Sequence, residues 1–68
     1  MINETVARCF LILAETLSFT QTARQMYVTQ QAVSKCIAKL EDDVGFVLFR
    51  RTHHYVRLTP AGEEYYAM

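Results

Sequence analysis

The sequence predicts a mainly α-helical fold: three helices, a two-stranded hairpin and the start of a fourth helix. Three observations carry that expectation. Two stretches place apolar residues at spacings of four, three and four, which is one face of a helix: Val6, Phe10, Leu13 and Leu17, then Val33, Ile37, Leu40 and Val44. After Gly45 the apolar period falls to two, the signature of short strands. Thr59-Pro60 then restarts a helix, with a hydroxyl cap followed by proline at the first helical position.

Each element has its own signals. In the first helix Leu11, Ile12 and Ala14 broaden the apolar stripe, so burial on more than one side is expected, and the helix should stop near Leu17. Either Ser18 or Thr20 can cap a short second helix, whose inner face holds Phe19, Ala23 and Met26. Val28 follows in a turn. Thr29 is the next cap, for a third helix from Gln30 to about Asp43, and Gly45 stands where a left-handed cap residue belongs. Val47 and Phe49 alternate with Leu48 and Arg50, and Val56 and Leu58 alternate with Arg57, giving two short strands around Thr52–Tyr55. Glu63 and Glu64 lie near the start of the last helix, where negative charge is favoured. That helix is still running at Met68 and reads as the beginning of a longer one.

Size and composition narrow the function. A chain of 68 residues is one small domain or a piece of a larger protein, with little room for a buried catalytic pocket. Hydrophobic residues make up 51%, which argues against disorder. The longest apolar run, Cys9 to Ala14, is far short of the ~20 residues of a membrane span. The opening Met-Ile-Asn-Glu places no basic stretch before an apolar one, so no secretory signal is expected. Cys9 and Cys36 form no zinc-type pair and fit a reducing cytoplasm. No nucleophile–base pair, phosphate-cradling glycine loop or ligand cluster suggests an enzyme, a metal site or a cofactor.

The formal net charge is zero, yet its distribution is uneven. Thr16–Leu40 carries Arg24, Lys35 and Lys39 without an acid, and Val44–Gly62 carries Arg50, Arg51 and Arg57 without an acid. Glu41, Asp42 and Asp43 form one acidic block, Glu63 and Glu64 another. Such a chain can be dipolar with one basic face. Ordinary solvated charge gives the same composition.

A short helix, a tight turn and a longer helix make a helix-turn-helix, and the hairpin after it makes a wing. Ala23 is the small residue that lets the two helices cross closely, and Met26, Val28, Val33 and Cys36 are placed to fill the angle between them. Where many such motifs have glycine in the turn, this chain has Tyr27, which implies either a longer turn or a strained tyrosine. The outward face of the third helix would carry Gln30, Gln31, Ser34, Lys35, Ala38 and Lys39. Gln can bond both polar atoms of an adenine edge, Lys can reach guanine, and Ser is short and adaptable. A solvated helix face has the same residue types.

The run Ser18-Phe19-Thr20-Gln21-Thr22-Ala23, then Val28-Thr29-Gln30-Gln31-Ala32-Val33-Ser34-Lys35, then Leu40-Glu41, Gly45, Leu48-Phe49, Arg51-Thr52 and Leu58-Thr59-Pro60-Ala61-Gly62 resembles the N-terminal DNA-binding domain of LysR-type transcriptional regulators. The resemblance covers about Val6 to Gly62. It implies a winged helix-turn-helix over residues 1–58 and, over 59–68, the first turns of a linker helix through which family members dimerise and often assemble further. It implies a bacterial, cytoplasmic, nucleoid-associated regulator that binds double-stranded DNA, with its small-molecule effector bound by a C-terminal domain absent from this chain. By the same resemblance Gln30, Gln31, Ser34 and Lys35 approach bases in the major groove. Ser18, Thr20 and Thr29 fall where hydroxyls and helix ends meet phosphate, and Lys39 and Arg57 join them as backbone contacts. Glu41 and Arg51 are expected to pair inside the domain, with DNA contact by Arg51 the other reading.

Three positions depart from the family pattern. Gln31 stands where relatives often have Pro, and Thr22 where a second Ala is usual. The wing tip Thr52-His53-His54-Tyr55 lacks the glycine relatives often carry. Adjacent His side chains on a hairpin point to different sides, which disfavours a metal site. Contact of His53 or His54 with DNA, or plain solvent exposure, remains open for the wing. The alternative function from another class is a winged helix that binds protein and no DNA. Zero net charge supports it, and it would use an apolar patch along Tyr65 and Tyr66.

Overall fold

The structure is a computed structural model and describes residues 3–68; Met1 and Ile2, which open the segment read above for a secretory signal, lie outside the described residues. The order is α1 (Glu4–Thr16), α2 (Phe19–Met26), α3 (Gln30–Val44), β1 (Phe49–Arg51), β2 (Val56–Leu58) and α4 (Pro60–Ala67). The expected winged helix-turn-helix is present, with α2 and α3 as its helices and the two strands as its wing.

Local chemistry sets the boundaries. Asn3, Ser18, Thr29 and Thr59 cap α1, α2, α3 and α4, each side-chain oxygen accepting the amide N–H three residues on, at 2.9 to 3.0 Å. Three helices end on a left-handed residue: Leu17 at φ 52°, Tyr27 at φ 58° and Gly45 at φ 83°. Glycine adopts that conformation without strain. For Leu17 and Tyr27 it costs about 1 kcal/mol each. Tyr27 resolves the turn question in favour of strain over extra length. Its amide reaches back to Arg24 O at 3.2 Å, and Val28 N reaches Ala23 O at 3.0 Å, so the turn stays tight.

The core sits where α1 crosses α2 and α3. It comprises Cys9, Phe10, Leu13 and Ala14 from α1, Ala23 from α2, Val33, Ile37 and Leu40 from α3, and Leu48 and Phe49 from the wing's root. Phe10 is the hub of an aromatic cluster, 5.4 Å from Phe49 and 5.0 Å, edge-on, from Tyr65. Burial lifts the Cys9 thiol to about 12, with Cys36 beside it adding to the shift. Cys9 is therefore a neutral core group. Thr22 is fully buried too. Its hydroxyl donates to Ser18 O at 2.8 Å and lies 3.1 Å from that of Thr16. A polar side chain fits there because its donor is satisfied.

Three local expectations need correction. Val28 does not fill the angle between the helices; it is exposed, because the left-handed Tyr27 turns the chain outward there. Val47 does not begin a strand. It and Phe46 are exposed while Leu48 and Phe49 are both buried, so the chain reaches the sheet only at Phe49. Leu11 is exposed on α1, whose apolar stripe is narrower than expected.

The wing is a short antiparallel ribbon pairing Phe49 with Leu58, Arg50 with Arg57 and Arg51 with Val56. Its tip is closed by Thr52, whose amide donates to Tyr55 O and whose hydroxyl oxygen accepts from the amides of His54 and Tyr55. Thr59 ties the ribbon to α4, donating its amide to Leu48 O at 3.0 Å and its hydroxyl to Val47 O at 2.6 Å. One turn later Gly62 packs flat on Leu48, where a Cβ would overlap the Leu48 carbonyl oxygen.

Candidate nucleic-acid interface

The helix-turn-helix turns the start of α3 outward. Val33, Ile37 and Leu40 hold one face of the helix in the core, so the opposite face presents Gln30, Gln31, Lys35, Ala38 and Lys39 to solvent. Ser34 stands at the margin, half-buried. Because Thr29 caps the helix with its own oxygen, the amide of Ala32 is already satisfied. The side chains of the first turns are the surface's main polar groups.

Arg51 joins the wing to this face. The pleat puts Arg51 on the same side of the ribbon as the buried Phe49, and so towards the helices. Its Nη1 donates to Ser34 Oγ at 3.2 Å, and its guanidinium lies over the Phe19 ring, 4.3 Å from the centroid. An open cleft of about 600 Å³ results, lined by Gln30, Gln31, Ser34, Lys35 and Arg51. A neighbouring cleft of about 450 Å³ includes Ser18, Thr20 and Gln30 on its helical side and His53 and His54 on the wing side. Base-type and backbone-type candidates that lie far apart in sequence thus form one continuous polar surface.

Glu41 and Arg51 do not form the expected ion pair. Glu41 Oε2 instead accepts the amides of Leu48 and Phe49, at 2.7 and 3.1 Å. These amides belong to the chain entering the sheet, where no neighbouring strand can serve them. The carboxylate supplies the missing acceptor, and Arg51 is left to Ser34 and Phe19. The two side chains line one small cleft but act separately.

The remaining candidates lie at the rim. Ser18 uses its oxygen to cap α2, and Thr20, the second residue of that helix, is exposed. Lys39 is exposed further down α3. Arg57 is on the other face of the ribbon from Arg51, directly opposite Arg50, with its guanidinium 4.6 Å from the Tyr55 ring centroid. Sequence reasoning missed two partners here. Phe19 was read as core alone, although its ring also cradles Arg51. Arg50 was not singled out, although the alternation that buries Phe49 puts Arg50 beside Arg57. The first needed tertiary contact. The second was available from the strand period. Among the described residues no cluster of three or more His, Cys, Asp or Glu side chains could hold a metal, and no helix is long and apolar enough to cross a membrane.

Comparison with known proteins agrees with this geometry. The model of bacterial regulatory helix-turn-helix proteins of the LysR family matches residues 6–63. The HTH-type transcriptional activator AllS of Klebsiella pneumoniae is 44% identical over 62 residues, which cover 91% of this chain and 23% of AllS. DarR of Vibrio fischeri, solved in complex with DNA, superposes with a TM-score of 0.92 at 36% identity, over 98% of this chain and 23% of that one. The DNA-binding domain of BenM in a DNA complex superposes at 0.90 with 30% identity, over 97% of this chain and 74% of that one. This chain thus spans about a quarter of the regulator AllS, and over nearly all of its own length it belongs to the LysR family of bacterial helix-turn-helix regulators.

Proposed function

We propose that this chain is the DNA-binding part of a LysR-type transcriptional regulator and binds double-stranded DNA sequence-specifically, with α3 in the major groove and the wing along the backbone or minor groove. The observation that carries this reading is the outward row Gln30, Gln31, Ser34 and Lys35, gathered with Arg51 around one open cleft at the start of α3. Donors and acceptors arranged on a protruding helix match the edges of base pairs, which present both. Likeness to proteins solved on DNA supports the same placement.

The roles divide by chemistry. Gln30, Gln31, Ser34 and Lys35 read bases. Ser18, Thr20, Thr29, Lys39 and Arg57 meet the backbone, and His53 and His54 lie on the wing beside it. Phosphate contacts supply much of the affinity, and base contacts supply the choice of sequence. Residues 1–58 form the binding unit, and 59–68 begin the linker helix through which two copies pair. Paired copies would span half-sites separated by whole helical turns. The chain acts by binding rather than catalysis, in the cytoplasm at the nucleoid. The effector ligand is taken by a domain outside this chain.

The test is duplex affinity over a series of salt concentrations. The reading predicts a linear fall of log affinity with log salt, with a slope of about −0.9 per phosphate contacted. Absent or salt-insensitive binding would favour the protein-interaction alternative.

A further inference from the structure

The contact between Arg51 and Ser34 has a chemical consequence for base choice. A serine hydroxyl has one proton to donate and two lone pairs to accept with, so by itself it suits donor and acceptor edges alike. A guanidinium has donors only. At 3.2 Å from Arg51 Nη1, Ser34 Oγ is therefore the acceptor, and one lone pair is occupied. The guanidinium is exposed, and its face also rests on the Phe19 ring, 4.3 Å from the centroid, a contact that favours this position. Its positive charge opposes a second donor approaching the same oxygen. The proton of Ser34 is left over: among the described residues no hydrogen bond takes it. The buried Thr22 differs, since its hydroxyl donates to the carbonyl four residues back.

We propose that Arg51 is a positioning residue that fixes Ser34 as a hydrogen-bond donor, so that the base read by Ser34 must offer an acceptor and cytosine is excluded there. In the major groove guanine presents N7 and O6, thymine O4 and adenine N7, whereas cytosine presents only its N4 donor. Arg51 acts through Ser34 and from the wing, and so ties wing position to base choice. This inference rests on the placement of α3 in the major groove.

The experiment is selection of bound duplexes from a randomised pool, followed by sequencing, with the unaltered protein and with Ser34→Ala, Arg51→Met and Arg51→Lys. Ser34→Ala identifies the position that Ser34 reads. At that position the unaltered protein should deplete cytosine about fivefold or more relative to guanine and thymine. Arg51→Lys keeps a donor and should keep the depletion. Arg51→Met keeps an apolar side chain over Phe19 but has no donor, and should bring cytosine within about twofold of the others while preferences elsewhere persist. Cytosine bound as well as guanine by the unaltered protein, full depletion by Arg51→Met, or no position altered by Ser34→Ala would each overturn the proposal. If Arg51→Met does not fold, Arg51→Ala, which also lacks a donor, should relax the depletion in the same way, and full depletion retained by it would overturn the proposal. A pool from which the unaltered protein enriches nothing would overturn the DNA reading itself; enrichment with the wrong profile overturns only the role of Arg51.

Discussion

The two ends of α3 treat their polar side chains in opposite ways. At the C-terminal end Glu41 is half-buried, and one of its oxygens serves two wing amides. At the N-terminal end Gln30, Gln31 and Lys35 are exposed and make no side-chain hydrogen bond among the described residues. One helix thus holds a structural site and a candidate reading site about three turns apart. A polar group satisfied inside the domain stabilises the fold. A polar group left to solvent on a rigid helix is available to a ligand. Ser34 lies between these cases, half engaged through Arg51.

If that division is right, mutations at the two ends should separate stability from recognition. The largest effect on folding belongs to Glu41→Ala, which leaves the Leu48 and Phe49 amides without their acceptor and should cost about 2–3 kcal/mol in denaturant unfolding. Its base preference should be unchanged wherever the domain remains folded. Lys35→Ala and Gln31→Ala should do the reverse. Each should leave the unfolding free energy within ~0.5 kcal/mol and cost ~1–3 kcal/mol at one contacted base pair, read from affinities on single-substitution duplexes. An unchanged base preference in Lys35→Ala would place the reading surface elsewhere.

The wing sharpens the contrast, since its contribution should not depend on sequence. Arg57→Ala is expected to weaken all duplexes about equally and to lower the salt slope by about 1. A smaller effect concerns His53 and His54. Both lie on the wing side of the second cleft, so a His53→Gln/His54→Gln double variant should weaken every duplex about equally, and by less than Arg57→Ala does. Unchanged affinity in that variant would remove these side chains from the interface. The smallest expected change is at the turn: Tyr27→Gly relieves a left-handed side chain and should raise stability by about 0.5 kcal/mol in thermal or chemical unfolding.

Much of this layout was legible because it is local. The caps at Ser18, Thr29 and Thr59 and the stop at Gly45 need only a few adjacent residues, and the stripe on α3 needs only its period. The outward row on α3 followed from that stripe. What escaped was set by contacts between distant segments. No local rule tells Glu41 to choose backbone amides over Arg51; the path of the chain from Gly45 to Phe49 decides it. That path also breaks the expected alternation, exposing Val47 and burying Leu48 next to Phe49. Thr22 is polar by composition, yet it is buried because Thr16 and Ser18 satisfy it. Tyr27 takes a glycine-like conformation because the tight turn requires it, and the ring avoids a clash by lying in solvent.

The most direct test of the central claim is residue-resolved: amide shifts recorded while a short duplex from the promoter beside this protein's own gene is titrated in, at low and then at moderate salt. Shifts are expected only over Ser18–Thr20, Thr29–Lys39 and Arg50–Arg57, fading as salt rises, with the Glu41 end of α3 undisturbed. Absence of shifts at low salt, or shifts centred on Tyr65 and Tyr66, would contradict that claim.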